Sequence, residues 1–407
     1  MIRNIWLLIR KYCWGVGGLI TLSFFTHAWG FCPDVPGFII WALMLYCIAN
    51  GFAHGKLNLL GIVFLCALPL GIFYFNPDHC FKSLLRYGNF VLLFLAIGPI
   101  FNNDFSIKIR KQALNTMLVL SIFTGVVSFF CFFLGINYMR MFDAQEMFRQ
   151  QGGYFGGLCV HSMTLAPIAA IGATSLFYLY LKHKKKLYLA MLICCIGTVL
   201  FAASRSALMA AFAGIIATSW YFSRRRSIVM KRIVMMAFFA IVTFPLWEGA
   251  TDLVMSKQRA NEERGSMTSS RDSKFQYRME EFKESPLFGV GFCAIDPKTG
   301  DDYSVSTGTI EPGTAWLQVP SMTGLVGTIP FIILLIGIWK NTSRRVLYTQ
   351  RGLILGLMAV FFMHFFAEGY LFSAGNELCF MAWLVIASCG MPWYKNTSPN
   401  DKQFIVD

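Results

Sequence analysis

Long apolar runs, nearly free of charge, follow one another along most of this chain. Only 14% of its residues are charged, whereas 56% are hydrophobic and 40 are phenylalanine. A run of about 18 or more apolar residues can cross the hydrocarbon core of a bilayer as a helix. A helix also satisfies its own backbone polar groups, as the lipid interior demands. The sequence therefore predicts an all-α polytopic membrane protein with about 12 transmembrane helices.

The hydropathy pattern places the predicted spans and one long polar segment between the ninth and the tenth. The spans cover residues 13–31, 35–52, 58–76, 84–102, 113–137, 156–181, 187–204, 206–222, 233–253, 315–339, 353–372 and 376–393. The predicted organisation has four parts. These are spans 1–9 in residues 1–253, a loop with a short amphipathic helix in 254–312, spans 10–12 in 313–394 and a tail in 395–407.

The positions of lysine and arginine predict the orientation. Most of the 35 basic residues fall in alternate loops, and loops rich in Lys and Arg stay in the cytoplasm. Both termini are therefore expected in the cytoplasm and the loop 254–312 on the outer side. Lys108, Arg110 and Lys111 are assigned to one cytoplasmic loop. Because topology accounts for the net charge of +14, no nucleic-acid partner is predicted.

A second group of basic residues is predicted on the outer side, where such residues are disfavoured. Arg149, Arg205, Arg271 and Arg278 belong to it. Arg205 lies between two serines at the junction of two apolar runs, where a charge is costly unless it faces a cavity or a partner. A guanidinium there can bind two phosphate oxygens at once. The alternative is a short outer turn whose arginine snorkels to the interface.

Residues 149–167, RQQGGYFGGLCVHSMTLAP, combine Arg149, four glycines and His161 at the start of a predicted span. Glycine pairs let the backbone turn sharply or approach a ligand closely. This density of unusual residues predicts the wall of a binding site that includes Arg149 and His161. The alternative for His161 is a histidine within a helix that bonds a carbonyl and does nothing more.

Residues 269–292, SSRDSKFQYRMEEFKESPLFGVGF, form the core of the polar segment. Two serines before Arg271 suit a helix N-cap. Three apolar residues recur at helical spacing and predict an amphipathic helix on the membrane surface. They are Phe275, Met279 and Phe282. Arg271 and Arg278 would share one face of this helix, where they could bind an anion, or they could pair with nearby acidic residues as a solvated charged face.

Three further titratable residues lie where the predicted spans 10 and 11 meet the outer side. Glu311 precedes a Pro-Gly turn and could act as a general base or as a carboxylate favoured by the helix dipole. His364 and Glu368 are four residues apart, which predicts that they share one face of span 11. Ionisable residues inside a membrane are functional candidates. Packing between helices is the alternative.

These motifs, in this order, resemble the O-antigen ligase and O-antigen polymerase family of bacterial membrane glycosyltransferases. The resemblance rests on GGYFGGLCVHSMTLA, on SRSAL, on an arginine followed by PLFGVG, and on WLQ with TGLVG after it. It implies a GT-C-like multi-pass enzyme of the bacterial inner membrane, with its active site facing the periplasm. Such an enzyme transfers a glycan from an undecaprenyl-diphosphate carrier to an acceptor glycan or lipid A-core in surface polysaccharide assembly.

The resemblance also implies residue roles. Arg205 matches the membrane-edge arginine of the family and Arg271 the loop arginine, and both hold the donor diphosphate. Family ligases carry a histidine where the loop enters the next span, whereas this chain reads EPGTAWL there and has no histidine between His183 and His364. Either Glu311 does the corresponding work as the base, in competition with Asp301, Asp302 and Glu368, or the acceptor differs. A repeat-unit polymerase is favoured over a ligase on this ground. Membrane lipids and a chain-length regulator are further expected partners.

The alternative from another functional class is a flippase for lipid-linked oligosaccharides, or another transporter with about twelve spans. Transporters often carry internal repeats and polar residues near mid-bilayer. This sequence shows no such repeat, and its polar residues gather at one face. No Cys/His ligand spacing is present, so no metal or cofactor is predicted. The predicted catalytic residues are Arg205, Arg271 and Glu311, and the predicted substrate-binding residues are Arg149, His161, Arg278, His364 and Glu368.

Overall fold

The computed structural model describes most of the apolar part of the chain. The described ranges are 15–55, 57–74, 83–140, 155–223, 226–232, 272–294, 303–304, 309–310, 313–345 and 348–389. Arg149, Arg271, Glu311 and the predicted span 233–253 lie outside these ranges. Within them the regular elements are helices and one antiparallel pair of short strands, β1 (Tyr303–Ser304) and β2 (Thr309–Ile310). Two isolated β-bridges, Trp29–Cys159 and Leu57–Phe101, are also present.

The described helices follow the predicted apolar runs. They are α1 (Val16–Ala28), α2 (Gly37–Ala53), α3 (Leu59–Ala67), α4 (Leu70–Tyr74), α5 (Ser83–Ile97), α6 (Asp104–Phe133), α7 (Ser162–His183), α8 (Lys186–Phe201), α9 (Arg205–Phe222), α10 (Asp272–Glu284), α11 (Ala315–Arg345), α12 (Tyr348–His364) and α13 (Glu377–Cys389). Every predicted span within the described residues overlaps one of them. The expected helical architecture is therefore confirmed.

Three of the described helices are long and apolar enough to cross a membrane by themselves. They are α6, α7 and the part of α11 from Ala315 to Thr342. Shorter apolar helices, among them α1, α2, α5, α8 and α13, accompany them. This composition is that of a membrane protein. The number of about twelve spans and the side on which each loop lies stay predictions.

Small residues bring two antiparallel helices, α9 and α12, into close contact. A Cβ placed on Gly356 would lie 2.0 Å from the Thr218 hydroxyl oxygen, and one on Gly214 would lie 2.5 Å from a methyl carbon of Val360. Glycine on both partners lets helices pack this closely within a membrane. Contacts between helix ends group these ends at two opposite faces of the bundle.

One of these faces, which we call the Arg205 end, joins the end of α1 to the starts of α7 and α13. The backbone N–H of Val160 donates to the carbonyl oxygen of Ala28 at 2.9 Å. The hydroxyl of Thr164, in the first turn of α7, donates to the Glu377 carboxylate at 3.0 Å. The Arg205 end comprises residues 28–37, 133–140, 155–162, 201–205, 313–315 and 364–377.

The opposite face carries basic segments. Arg232 donates from Nη1 to the hydroxyl oxygen of Ser219, near the end of α9, at 3.4 Å. The pKa of Lys184 is lowered, first by desolvation and then by the charge of Arg232, which places these two basic segments close together. This gathering of positive charge supports the predicted orientation. Which face meets the cytoplasm stays a prediction.

The prediction that Lys108, Arg110 and Lys111 lie in a loop is wrong. Helix α6 begins at Asp104 and contains all three residues. The Asn103 side chain caps this helix, because its Oδ1 accepts the backbone N–H of the third residue that follows at 2.8 Å. The hydropathy pattern missed this start because the first two turns of α6 are polar, although a good cap precedes them.

Arg110 is a buried cap for the end of α5. It is 0% exposed and donates to the carbonyl oxygens of Ile97, Gly98 and Phe101 at 2.9, 2.6 and 2.6 Å. The last carbonyls of a helix have no partner within that helix. The guanidinium satisfies such groups with its planar set of donors. Arg110 is therefore a structural residue and not a solvated charge of a loop.

The PLFGVG turn of the polar segment, residues 286–291, is inserted into a break in α11. The backbone N–H groups of Leu325 and Val326 donate to the carbonyl oxygens of Pro286 and Leu287 at 2.8 and 3.1 Å, and those of Val290 and Gly291 donate to Ser321 and Met322 at 2.8 and 3.1 Å. In an unbroken helix, residues 325 and 326 would bond to 321 and 322. The insertion therefore replaces two backbone hydrogen bonds within α11 by four backbone hydrogen bonds between α11 and the turn.

Glycines allow the turn to enter the helix. Gly324, at the break, has a φ of 57°, and a Cβ there would lie 2.2 Å from the carbonyl oxygen of Leu287. Gly289, in the turn, has a φ of 71°, and its Cβ would lie 2.5 Å from the backbone of Met322. Only glycine adopts these angles without strain and leaves room for the other backbone. Both glycines therefore allow the close approach of the turn to α11.

Candidate functional site

Arg205 is the first residue of α9, after the tight turn that leaves α8. Ala203 in this turn has a φ of 50°, and Ser204 caps the helix by accepting the backbone N–H of Ala207 at 3.4 Å. The Arg205 side chain is half-buried. A helix N-terminus carries partial positive charge. The guanidinium and the start of the helix therefore favour an anion at the same place.

His161 caps α7. The helix begins at Ser162 rather than at residue 156, and Nδ1 of His161 accepts the backbone N–H of Met163 at 3.0 Å. Because Nδ1 is an acceptor, the neutral ring carries its proton on Nε2. His161 is half-buried and lies at the Arg205 end. His161 therefore stands at the N-cap position and not inside the helix, and a contact of His161 with substrate stays a prediction.

The prediction that His364 and Glu368 share one face of a helix is wrong, because α12 ends at His364. The chain turns there, and the backbone N–H of Glu368 donates to the carbonyl oxygen of His364 at 3.0 Å. His364 is 1% exposed, and a hydrogen bond of 3.0 Å joins its Nδ1 to the Tyr370 hydroxyl. Glu368 is half-buried. The surroundings of His364 favour the packing alternative, whereas Glu368 lies partly at the surface.

The start of α11 lies against this turn. The backbone N–H of Ala315 donates to the carbonyl oxygens of Phe365 and Glu368 at 2.9 and 3.1 Å. The Thr314 hydroxyl donates to the same Phe365 oxygen at 2.9 Å. The first N–H groups of α11 thus find partners in the segment that contains Glu368. Glu311 precedes Gly313 by two positions in the sequence and lies outside the described residues.

Helix α10 buries its charged side. Lys274, Arg278 and Glu281, spaced so that they lie on one face of a helix, are 8%, 4% and 0% exposed. Met279 on another side is 41% exposed. The alternative is therefore right about pairing, because Arg278 pairs with Glu281, and wrong about solvation, because this pair is buried. The helix predicted before Pro286 is confirmed, and the contact of its apolar side with the membrane surface stays a prediction.

The buried side of α10 faces the start of α11. A Cβ on Gly313 would lie 2.7 Å from the Cβ of Lys274. On the same face, Nη1 of Arg278 lies 2.8 Å from Oε2 of Glu281. Because the start of α11 also contacts Glu368, the charged face of α10 and the turn after α12 meet the same element.

Arg205 and Glu368 lie at the same level of the bundle. Gly214 of α9 contacts Gly356 and Val360 of the antiparallel α12. Going from Gly214 back to Arg205 is a rise of about 13.5 Å along the helix. Because α12 runs antiparallel to α9, the same distance beyond residues 356–360 reaches the turn that contains Glu368. The described candidates Arg205, His161 and Glu368 therefore share one end.

Four residues at or beside this end were not among the predicted site residues: Lys274 and Glu281 of α10, and Tyr370 and Glu377. The spacing of Lys274, Arg278 and Glu281 carried a usable signal, because the apolar residues of α10 fall on its other sides. Glu377 is buried and accepts the Thr164 hydroxyl. Its position directly after an Asn at the start of an apolar run was the available sign of a helix start. No sequence pattern pointed to Tyr370.

The described residues form a helical membrane protein with arginines and carboxylates gathered at one end. Within this class, residues 189–332 match the family described as O-Antigen ligase, so the resemblance predicted from the motifs is confirmed over that segment. The match runs from α8 into α11 and supports a glycan-transferring membrane enzyme of the O-antigen ligase type, with a lipid-linked glycan and an acceptor as substrates. It includes Arg205, Arg271, Arg278 and Glu311, whereas Arg149, His161, His364 and Glu368 lie outside it. A search of curated proteins found no match.

Proposed function

We propose that this protein is a glycosyltransferase of the bacterial inner membrane that transfers a glycan from an undecaprenyl-diphosphate carrier to an acceptor glycan at the periplasmic face. The fold would be GT-C-like, and a chain-length regulator would be a further partner. The single observation that carries the proposal is the family match over residues 189–332. The placement of Arg205 at the same end as His161, Glu368 and the buried charged face of α10 supports it.

The reaction is a displacement at the anomeric carbon of the donor. The oxygen of the acceptor hydroxyl forms a bond to this carbon, and the bond from the carbon to the diphosphate oxygen breaks. The bonding electrons leave with the lipid diphosphate, and the hydroxyl proton passes to a carboxylate. The protein therefore has to stabilise charge on the leaving diphosphate and supply a proton acceptor within hydrogen-bond reach.

The diphosphate is bound by Arg205 and Arg271. Arg205 supports this role because it combines a guanidinium with the N-terminus of α9, two features that each favour anions. Because Arg205 is half-buried, the dielectric constant around it is lower than that of water. A lower dielectric constant strengthens the attraction between the guanidinium and a phosphate. Arg149, His161 and Arg278 complete the proposed substrate contacts around it.

The proton acceptor is a carboxylate near the start of α11. Glu311 is the first candidate because it occupies the entry to this helix, where the ligases of the family carry histidine. Glu368 is the second candidate, since its backbone oxygen accepts the N–H of Ala315 at 3.1 Å and its side chain is half-buried. His364, buried and hydrogen-bonded to Tyr370, supports the turn that contains Glu368.

A repeat-unit polymerase is proposed in preference to a ligase. The sequence EPGTAWL at the start of α11 lacks the histidine expected of a ligase, and His183 and His364 are the nearest histidines on either side. In a polymerase the acceptor would be the first sugar of another lipid-linked repeat unit. In a ligase it would be a lipid A-core.

Reconstitution into proteoliposomes tests the proposed reaction. The purified protein would receive a radiolabelled undecaprenyl-diphosphate repeat unit, without nucleotide sugar and without added metal. Growth of longer lipid-linked products supports a polymerase, and transfer to an added lipid A-core supports a ligase. Movement of labelled glycan across the bilayer without a new glycosidic bond would establish a flippase and overturn the proposal.

Deletion of the gene separates polymerase from ligase in cells. The surface glycans would then be resolved on a gel. Single repeat units on the acceptor identify a lost polymerase, whereas full-length polymer retained on its lipid carrier identifies a lost ligase. Restoration of the wild-type pattern by a plasmid copy is the control.

A further inference from the structure

Glu281 is a fully buried carboxylate on α10, and its partner is also buried. Its Oε2 lies 2.8 Å from Nη1 of Arg278, one helical turn away, and the two side chains are 0% and 4% exposed. Moving a charge out of water is costly unless an opposite charge and hydrogen bonds compensate for it. The ion pair between Arg278 and Glu281 therefore offsets part of the cost of burying both groups.

The same helix shows the ordinary arrangement on its outer side. There Gln276 donates to Glu280 at 2.9 Å, and this pair is exposed. A helix of 13 residues could expose all of its charges in this way. It instead buries Lys274, Arg278 and Glu281, and Lys274 contacts the start of α11 at Gly313.

Stability alone is a weak explanation for this burial. A buried ion pair gains little over well-packed apolar residues of similar volume, because desolvation offsets the attraction between the charges. What the pair provides is orientation. An arginine side chain has many rotamers, and a contact of 2.8 Å to a buried carboxylate selects among them.

We propose that Glu281 is a positioning residue that holds the guanidinium of Arg278 towards the diphosphate of the lipid-linked donor. This inference rests on the proposed function. Glu281 does not touch the donor. It acts by fixing Arg278 on α10, a helix that contacts the start of α11, where Ala315 also bonds to Glu368. Part of the entropic cost of ordering the guanidinium is then met before the donor binds.

The test compares Glu281→Gln and Glu281→Asp with Glu280→Gln, an exposed carboxylate on the same helix, in the proteoliposome assay. Glu281→Gln is expected to raise the KM for the lipid-linked donor about tenfold, because Arg278 loses its orienting charge. The KM for the acceptor should change little. Glu281→Asp should restore most of the donor affinity, since the charge is kept, and Glu280→Gln should resemble the wild type.

A double variant separates positioning from folding. In an Arg278→Gln background, Glu281→Gln should have little further effect on the donor KM, because the residue through which it acts is gone. The inference is overturned if Glu281→Gln leaves the donor KM unchanged. It is also overturned if the donor and acceptor KM rise together, or if the loss in the double variant equals the sum of the single losses. An inactive wild-type protein would instead refute the proposed function.

Discussion

The hydroxyl of Thr164 donates a hydrogen bond to the carboxylate of Glu377 across a distance of 3.0 Å. Thr164 lies in the first turn of α7, just after His161, and Glu377 is the first residue of α13. Both side chains are buried. The bond fixes the starts of α7 and α13 at the same level. Helix α13 thereby supports the first turn of α7, which His161 caps.

Glu377→Ala should destabilise the protein, whereas Glu377→Gln should be tolerated. Alanine leaves the buried Thr164 hydroxyl without its acceptor, at a cost of about 1–3 kcal/mol. The amide oxygen of glutamine can accept the same bond. Thermal unfolding of the detergent-purified variants measures the difference. Equal destabilisation by both substitutions would show that the charge of Glu377, and not its hydrogen bond, is what matters.

Arg205→Ala should abolish most turnover while the protein stays folded and inserted. Loss of a charge-assisted contact to a developing anion costs on the order of 2–4 kcal/mol, so the rate should fall about 30- to 1000-fold. Arg205→Lys should restore little of the lost turnover, because the ammonium of lysine cannot bind two phosphate oxygens at once as the planar guanidinium does. Initial rates in proteoliposomes give the result, and Arg271→Ala should behave alike. Near-normal turnover of Arg205→Ala would instead establish the snorkelling alternative.

Glu311→Gln and Glu368→Gln identify the base. If Glu311 accepts the proton, its amide variant should lose roughly 10²–10⁴-fold in turnover and keep its donor affinity, because only the proton acceptor is removed. Both quantities are to be measured side by side in the same preparation. An inactive Glu368→Gln beside a normal Glu311→Gln, with the donor still bound, would assign the role to the turn after α12.

Arg110→Ala should be far more damaging to stability than Lys108→Ala, although both residues lie in the same turn of α6. Arg110 supplies three carbonyl oxygens with donors inside the protein, so its loss should cost on the order of 3–5 kcal/mol. Lys108 is exposed, and its loss should lie within about 0.5 kcal/mol of zero. Thermal midpoints of both variants check this, and similar midpoints would refute the capping role.

Cysteine labelling tests the orientation. A membrane-impermeant thiol reagent added to intact spheroplasts should modify a reporter cysteine at Ser269 and leave one at Ser227 untouched. The expectation follows from the basic segments that gather at the face opposite to Arg205. The wild-type protein, with its native cysteines, provides the background. The reverse labelling pattern would invert the topology.

The apolar runs predicted where helices form, because hydrophobicity alone decides which segments enter a membrane. The helix ends were less predictable. The start of α6 was missed because an Asn cap and a buried arginine stabilise two polar turns, and the end of α12 at His364 was missed because apolar residues continue beyond it. In both places a tertiary contact overrides the local composition.

The candidate site was predictable in its residue types but only partly in its geometry. Arg205 was found because a lone charge between apolar runs is conspicuous. The inward side of α10 could not be assigned, because a helix with charges on one face and aromatic residues on another has two plausible orientations at a membrane. The burial of Lys274, Arg278 and Glu281 and the contact of Lys274 with the start of α11 distinguish them.

The exchange of backbone bonds between residues 286–291 and α11 makes the loop and the helix a single mechanical part. To withdraw the turn, the protein would have to break four hydrogen bonds in an apolar surrounding and then rebuild the helix through Gly324. Each polar group left bare in such a surrounding carries a penalty of several kcal/mol. The break in α11 therefore attaches the turn firmly to the helix. Any motion of α10 relative to α11 has to bend the chain next to residues 286–291, where the turn is fixed.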